Sequence, residues 1–330
     1  MDIFKKKDFT IGSTGIDRVD EVVLGGVKQS ILIQAVDPTK PVLLFVHGGP
    51  CMPIPGVVSR GQDYAVCITT RELVKHFVLV FWDQRGAGKS FNGAIPAASF
   101  RVERFIEDCN ELVDVLRERF KQEKIFLAAH SWGTVIGLSM AARYPEKLHA
   151  YVGISQLLNW AANDQFCYEW LRAAAEQKKD RKTLSKLAEL GLPPYVKTAK
   201  QWTDFRGLLT KYQSISRADM LSVFKLFMRS SEYSLKDIIH AFYSSFKLTY
   251  TQGLVEDFAK IDLETITKVE VPVFFLHGKQ DFHLDGRPVE RFAARLRAPR
   301  KELRWFEKSS HVFCLEDARE IERFIAETAE

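Results

Sequence analysis

Short apolar runs alternate along the chain with longer stretches in which apolar residues recur every three or four positions. Short apolar runs bounded by turn residues are typical of buried strands, and the longer period is typical of helices. We therefore expect a series of strands near 18–24, 28–35, 42–46, 77–82, 124–129 and 150–154, with helices near 71–76, 102–120 and 132–143. This alternation predicts an α/β fold, with a mostly parallel, doubly wound sheet whose first two strands form an antiparallel edge.

The pattern changes between about 155 and 262. Strand-like alternation disappears there, and helical segments are expected near 165–177, 182–190 and 217–229. The strand pattern resumes at Val271, and a C-terminal helix is expected near 316–328. We therefore predict three parts. Residues 1–154 and 263–330 form two halves of one core, and residues 155–262 form an inserted helical cap between them.

Ser131 stands where an apolar run, IFLAAH, meets the start of a helical pattern. A serine on a sharp strand-to-helix turn can be held clear of the sheet as a nucleophile, provided that its neighbours are small. Gly133 meets this need, and Ala129 stands where glycine is usual. Because a Ser-x-Gly pattern alone is a weak signal, the rest of the chain has to supply partners for the serine.

An acid and a histidine follow at suitable strand ends. Asp281 ends the apolar run VPVFFLHGKQD, and His311 follows the short strand pattern LRWF and a polar loop. We expect Ser131 to act as nucleophile, His311 as general base and then acid, and Asp281 to orient the imidazole. Asp285 and His283 compete for these roles, but Asp281 lies directly at the strand exit, whereas Asp285 lies in a turn-like segment.

Backbone donors for an oxyanion are expected from a pair of adjacent glycines. PVLLFVHGGP is a buried-strand pattern that ends in Gly48 and Gly49, where backbone N–H groups can be exposed toward developing charge. We expect the N–H groups of Gly49 and Trp132 to form the oxyanion hole. The alternative is that the two glycines only make a turn. Gly48 and the following Cys51 are also expected near the substrate.

Four segments carry a family resemblance: HGGP at 47–50, WDQRGAGKS at 82–90, HSWG at 130–133, and the surroundings of Asp281 and His311. The chain resembles the proline iminopeptidase-like branch of the α/β-hydrolase superfamily. The resemblance implies an α/β-hydrolase fold with a helical cap, and a serine hydrolase that releases an N-terminal residue, often proline, from short peptides. It implies neither a metal nor another cofactor. Some relatives in this branch cleave other amides or esters.

Two features depart from that resemblance, namely Cys51 where glycine usually follows HGGP, and Ala129 at the elbow. A peptidase for free N-termini also needs carboxylates that face its site, for which Glu169 and Glu232 are the candidates. The predicted cap contains more Lys and Arg than Asp and Glu, so its composition does not indicate an acidic pocket. Its aromatic residues form the cap's own core or a roof over an apolar substrate.

GAGKS is not a phosphate-binding loop, because Asp83 stands where that motif requires its first glycine. We expect Arg85 and the neighbouring glycines to brace the loops of the site instead. The formal net charge of +5 indicates solubility and no nucleic-acid partner.

The 330 residues are enough for one large core and an insert. No apolar run is long enough to span a membrane and MDIFKKKDF does not match a signal peptide, so we expect a cytoplasmic protein. The five cysteines are scattered, which predicts reduced thiols and no zinc site. The sequence leaves open whether the protein forms a homo-oligomer.

These patterns favour an aminopeptidase that works through an acyl-enzyme and releases N-terminal proline or another small residue. The first alternative is a carboxylesterase or amidase for small aromatic or acyl substrates. The second is a catalytically impaired or engineered hydrolase-fold protein that binds a ligand. Epoxide hydrolase or dehalogenase chemistry is disfavoured, because it calls for a carboxylate where this chain has Ser131.

Overall fold

The computed structural model describes residues 6–212 and 217–329 of the chain. Its main feature is an eight-stranded sheet in the order β1-β2-β6-β3-β7-β8-β9-β10, with a separate two-stranded ribbon, β4-β5. The strands are β1 (Ile16–Leu24), β2 (Val27–Ala35), β3 (Val42–Val46), β4 (Tyr64–Ala65), β5 (Ile68–Thr69), β6 (Val78–Asp83), β7 (Ile125–His130), β8 (Leu148–Ile154), β9 (Val273–Gly278) and β10 (Lys301–Phe306). β1 and β2 pair antiparallel with each other and β2 with β6, whereas the pairs from β6 to β10 are parallel. The predicted α/β architecture is confirmed.

The sheet separates two apolar cores because successive side chains of a strand point to opposite faces. Along β3, Val42, Leu44 and Val46 belong to one core, and Leu43 and Phe45 belong to the other. The first core also contains residues of α2 (Val102–Phe120), α3 (Gly133–Arg143) and α11 (Gly286–Arg295). The second contains residues of α1 (Leu73–His76) and α12 (Leu315–Glu327). With helices on both faces, the central strands are buried on both sides, as parallel sheets require.

Between β8 and β9 the described chain is helical. It forms α4 (Trp160–Gln177), α5 (Arg181–Leu190), α6 (Ala199–Tyr212), α7 (Arg217–Arg229), α8 (Leu235–Ile239), α9 (Ser245–Thr249) and α10 (Gln252–Phe258), with a π-helical turn at 240–244. Backbone hydrogen bonds from Trp160 N to Ile261 O (3.2 Å) and from Leu263 N to Leu158 O (2.7 Å) join the two ends of this segment. The ends therefore meet close to the expected limits, 155 and 262. Its status as a separate domain stays a prediction.

The helical segment has a small core of its own, which contains Cys167, Leu171, Leu187, Tyr195, Phe205 and Leu209. Other members of the segment, Trp160, Trp202 and Tyr250, join the large core of the sheet instead. The segment is thus packed down onto the carboxyl end of the sheet. Within the described ranges, no helix has both the length and the apolar character needed to cross a membrane.

Candidate active site

Ser131 lies on the turn between β7 and α3, with a backbone φ of +55°. This left-handed conformation is rare for residues other than glycine, and in native proteins it is often concentrated at functional sites. The turn is held by a hydrogen bond from Ser131 N to Ile154 O (3.0 Å). A Cβ added to Gly133 would lie 2.3 Å from Val46 O, and one added to Gly48 would lie 3.0 Å from Ser131 Cβ. Both glycines are therefore required for the close approach of the two loops.

Ala129 fits this turn without displacing it. Ala129 is fully buried on β7, and the facing position on α3 is Gly137, where an added Cβ would lie 3.0 Å from Ala129 Cβ. The methyl group thus occupies space that Gly137 leaves free. The departure from the usual glycine is accommodated by a small residue on the neighbouring helix.

The structure brings the three predicted catalytic side chains together. His311 Nε2 lies 2.9 Å from Ser131 Oγ, and His311 Nδ1 lies 2.8 Å from Asp281 Oδ2. Both distances are within normal hydrogen-bond range. Asp281 Oδ1 accepts two backbone N–H groups, from His283 at 2.8 Å and from Leu284 at 3.0 Å. The carboxylate is thereby fixed at both oxygens.

Asp281 is kept ionised by its partners. Burial alone would raise the pKa of this carboxyl, but the charge and the hydrogen bond of His311 outweigh burial and hold the pKa well below its usual value of 3.8. The competing acid, Asp285, has a different role. It accepts the Arg287 N–H as the N-cap of α11, and it is ion-paired with the Arg287 guanidinium at 2.8 Å.

Two neutral histidines flank the His311 ring. The ring centroids of His130 and His283 lie 4.9 Å and 5.0 Å from that of His311. Burial, together with the nearby His311, lowers the pKa of His130 to about 3, and the same two causes hold the pKa of His283 well below 6.5. Both flanking imidazoles are therefore neutral, and neither is hydrogen-bonded to Asp281 through its ring as His311 is.

Gly49, Gly48 and Trp132 lie beside Ser131 on the wall of one cavity. Gly49 has a φ of +120°, and a Cβ there would lie 2.8 Å from both Cys51 N and Met52 N, so the turn requires glycine. The Gly49 carbonyl accepts a 2.6 Å hydrogen bond from the Tyr250 hydroxyl, which ties the loop to the helical segment. Gly49 and Trp132 thus line the same cavity as Ser131. Their N–H groups stay our proposed donors.

Three of the expected substrate-binding residues are not among the described residues that line the cavity. Cys51 is 5% exposed, and burial raises the pKa of its thiol to about 12, so it is a neutral, packed group beside Tyr250. Glu169 is exposed on α4 and accepts a hydrogen bond from Gln165 Nε2 at 2.6 Å. Glu232 is ion-paired with Arg60 at 2.8 Å. The structure corrects the expectation that these two carboxylates face the site.

The cavity above Ser131 has a volume of about 330 Å³. Its side chains are mostly apolar, and they include Met52, Ile54, Val66, Leu157, Trp160, Trp202, Val223, Leu284 and Val312. Apart from Ser131, His311 and His130, its polar side chains are Asn163, Arg206 and His283. The described residues that line it include no aspartate or glutamate. The cavity is therefore apolar with one cationic side.

Sequence reasoning missed the residues that join the loops of the site. Gln84 accepts a hydrogen bond from Trp132 Nε1 at 3.0 Å and donates one to His47 O at 2.8 Å, so it connects three of the four resemblance segments. Its place inside WDQRGAGKS was the available signal. Arg85, by contrast, was expected to brace these loops, and it forms a buried two-point ion pair with Asp108 of α2, at 2.8 and 2.9 Å. Tyr250 and Arg206 come from the helical segment, where no motif marks them.

Comparison with known proteins identifies the family of the chain. Residues 41–318 match the family described as alpha/beta hydrolase fold. The probable aminopeptidase YbaC of Bacillus subtilis (strain 168) is 30% identical over 307 residues, which cover 90% of this chain and 91% of YbaC. The human serine hydrolase BPHL is 28% identical over 159 residues, which cover 46% of this chain and 50% of BPHL.

Solved structures share the fold at low sequence identity. The proline iminopeptidase-related protein of Thermus thermophilus has a TM-score of 0.60 at 19% identity and covers 95% of this chain and 97% of its own. The proline iminopeptidase of Mycobacterium smegmatis has a TM-score of 0.59 at 17% identity and covers 94% and 97%. An epoxide hydrolase from Bacillus megaterium has a TM-score of 0.57 at 18% identity and covers 94% and 99%. The chain therefore belongs to the alpha/beta hydrolase fold family: it is a hydrolase, and it is similar to the proline iminopeptidase-like members of that family.

Proposed function

We propose that this hydrolase acts through a covalent acyl-enzyme on Ser131. The observation that carries the proposal is the hydrogen-bonded chain from Ser131 to His311 to Asp281, with Ser131 open to an apolar cavity. A serine hydroxyl is a weak nucleophile, and it is activated when a base lies within hydrogen-bond reach and is itself oriented by a third group. This arrangement supplies both partners.

In the proposed reaction, His311 Nε2 takes the proton of Ser131 Oγ as the oxygen attacks the substrate carbonyl. The N–H groups of Gly49 and Trp132 stabilise the negative oxygen that forms, and the second group also benefits from its place at the start of α3. His311 then gives its proton to the leaving amine or alcohol. In the second half, His311 takes a proton from water as the water oxygen attacks the acyl carbonyl, and it returns that proton to Ser131 Oγ as the acid leaves.

The cavity favours small substrates. A volume of about 330 Å³ lies at the lower end of the range for small-molecule sites, and aromatic and aliphatic side chains cover most of the wall. We therefore propose that the substrates are esters or amides of small, largely apolar acids. The carboxylesterase or amidase assignment is favoured by this lining.

An aminopeptidase for short peptides is the second candidate, and it is favoured by the similarity to YbaC over most of both chains. Such an enzyme binds the free N-terminal ammonium of its substrate, and an ammonium is best held by carboxylates. Glu169 and Glu232, which were expected to provide them, point elsewhere in the structure. A comparison of proline and alanine naphthylamides with 4-nitrophenyl acetate and butyrate separates the two candidates by kcat/KM.

The proposal is tested by labelling with a fluorophosphonate. We expect one adduct per chain, located on Ser131 by peptide mass, and no adduct in Ser131→Ala. Ser139 is a matched control because it is buried on α3 and is not among the described residues that line the cavity, so Ser139→Ala is expected to label normally. A folded protein that takes up no label would favour the remaining alternative, an impaired hydrolase-fold protein that binds a ligand.

A further inference from the structure

Three polar side chains of the cavity, Asn163, Arg206 and His283, come from α4, α6 and the loop after β9. We infer that Arg206 and His283 form an anion-binding subsite, so that the preferred substrates are esters or amides that carry a carboxylate. This inference rests on the proposed function, since the subsite would anchor a substrate for attack by Ser131. It names a substrate class that neither the apolar lining nor the similarity to aminopeptidases indicates.

Arg206 is held in a fixed position. Its Nη2 donates to Asp164 Oδ1 at 2.7 Å, and its guanidinium lies over the rings of Trp160 and Trp202, at 5.2 and 5.8 Å from their centroids. Asp164 is itself fully buried and accepts the Tyr195 N–H at 3.0 Å. Because the planar guanidinium is clamped between a carboxylate and two aromatic faces, little conformational entropy is lost when it binds a ligand.

The guanidinium of Arg206 has N–H donors that its hydrogen bond to Asp164 does not use. Arg206 Nε is buried and has no partner among the described residues. A guanidinium has five N–H donors, and the hydrogen bond to Asp164 uses one of them. A buried donor without a partner costs free energy, which an acceptor on a bound ligand would recover.

His283 supplies the second group. Its ring lies 5.0 Å from that of His311, and its Nε2 is buried without a partner among the described residues. His283 and Arg206 line the same cavity. Burial and the nearby His311 hold the pKa of His283 well below its usual value of 6.5. The imidazole is therefore neutral, and a neutral imidazole offers one N–H donor. Arg206 and His283 together can donate to the two oxygens of one carboxylate.

The charge distribution decides between an anionic and a cationic ligand. Asp164 balances the charge of Arg206, but it is not among the described residues that line the cavity. A ligand in the cavity therefore meets the guanidinium and no carboxylate. A substrate ammonium would be desolvated beside a positive charge, whereas a substrate carboxylate would gain charge-assisted hydrogen bonds.

The test uses binding, so that it does not depend on catalysis. Ser131→Ala protein is titrated by calorimetry with 4-phenylbutyrate and with 4-phenylbutyramide, which have the same apolar part. Since hydrogen bonds to a charged group are worth more than neutral ones, we expect the carboxylate to bind at least about tenfold more tightly. Arg206→Gln, introduced into the same background, is expected to remove the difference, and Arg206→Lys to retain part of it.

Arg172→Gln is the matched control. Arg172 lies on α4 in an exposed ion pair with Glu176 at 2.9 Å, away from the cavity, so the preference is expected to persist in this variant. If Arg206→Gln unfolds because Asp164 is left unpaired, the double variant Asp164→Asn/Arg206→Gln removes both charges together and is measured instead. Equal affinities for acid and amide in Ser131→Ala, or a preference that survives the loss of Arg206, would overturn the inference.

The inference and the proposed function fail separately. Fluorophosphonate labelling of the otherwise unchanged protein reports on Ser131, and the calorimetric preference, measured without the Ser131 hydroxyl, reports on the anion subsite. With catalysis established, mono-4-nitrophenyl glutarate and 4-nitrophenyl butyrate give a second readout. The ratio of their kcat/KM values, glutarate over butyrate, is expected to fall about tenfold in Arg206→Gln and to stay unchanged in Arg172→Gln.

Discussion

Replacing Asp281 by asparagine is the sharpest test of the proposed triad. Asp281 Oδ1 accepts the N–H groups of His283 and Leu284, and Asp281 Oδ2 faces His311 Nδ1. In Asp281→Asn, the amide oxygen must stay toward the two backbone donors, because an NH₂ group there would face two N–H groups. The NH₂ group is then directed at His311 Nδ1, which has to become an acceptor.

The consequence is a change of tautomer. With Nδ1 as acceptor, the His311 proton sits on Nε2 and points at Ser131 Oγ, 2.9 Å away, so the ring can no longer take the serine proton. Loss of the correct tautomer lowers kcat by a factor of about 10⁴, which corresponds to about 5 kcal/mol of activation free energy. The fold is expected to persist, since both backbone hydrogen bonds to the side chain remain.

The assay is hydrolysis of 4-nitrophenyl acetate together with the rate of fluorophosphonate labelling, and both are expected to fall in parallel. Asp285→Asn is the matched control. Asparagine is an equally good N-cap for α11, and the lost ion pair is to the exposed side chain of Arg287. The kcat of Asp285→Asn should stay within about twofold of that of the parent. Retention of more than about a tenth of kcat in Asp281→Asn would refute the assignment of Asp281 as the orienting acid.

The same variant has a stability signature. The folded-state pKa of Asp281 lies below its unfolded value, so its ionised form stabilises the fold above about pH 4 and that contribution is lost as the pH falls through the folded-state pKa. The free energies of unfolding of the parent and of Asp281→Asn, measured with urea, should therefore show their full difference at pH 7. The difference should shrink as the pH falls below about 4, which distinguishes the loss of a charge from a general packing defect.

Three further predictions concern stability and reactivity. Gly137→Ala is expected to destabilise the protein by about 1–3 kcal/mol, because the new Cβ would lie 2.4 Å from the Tyr151 ring. Gly207→Ala on α6 has nothing within 4 Å of the new Cβ and should stabilise the protein by up to about 1 kcal/mol. Urea unfolding measures both variants, and equal effects would contradict the packing argument. Burial raises the pKa of Asp83 to about 6, so between about pH 4 and pH 6 the folded protein binds a proton that the unfolded chain does not. The stability of the parent relative to Asp83→Asn should therefore fall by roughly 3 kcal/mol as the pH rises from about 4 to above 6. A difference that does not change with pH would disprove the shift. Ellman's reagent should modify Cys314 first in the native protein, because the other four thiols are buried, and Cys314→Ala should remove the rapid phase.

Much of the fold was readable from the sequence because the relevant signals are local. The period of apolar residues marked α2 at its observed limits, Val102 and Phe120, and it placed the strands of the parallel sheet within a few residues. The order of Ser131, Asp281 and His311 at successive strand ends was equally visible. In a parallel sheet the carboxyl ends of the strands meet at one edge, so residues that end those strands become neighbours whatever the loops between them do.

The tertiary structure decided what the helical segment presents to that edge. Glu169 and Arg206 both lie on helices of this segment. Glu169 is exposed to solvent and Arg206 lines the cavity of Ser131, and nothing in their local sequence predicts this difference. The side of a helix that faces a site depends on how the helix packs on its neighbours, and here the ring contacts of Trp160 and Trp202 direct that packing. The charge of the cavity, and with it the class of substrate that we propose, therefore follows from contacts between residues far apart in the chain. The residues proposed for the chemistry follow instead from the order of the strands.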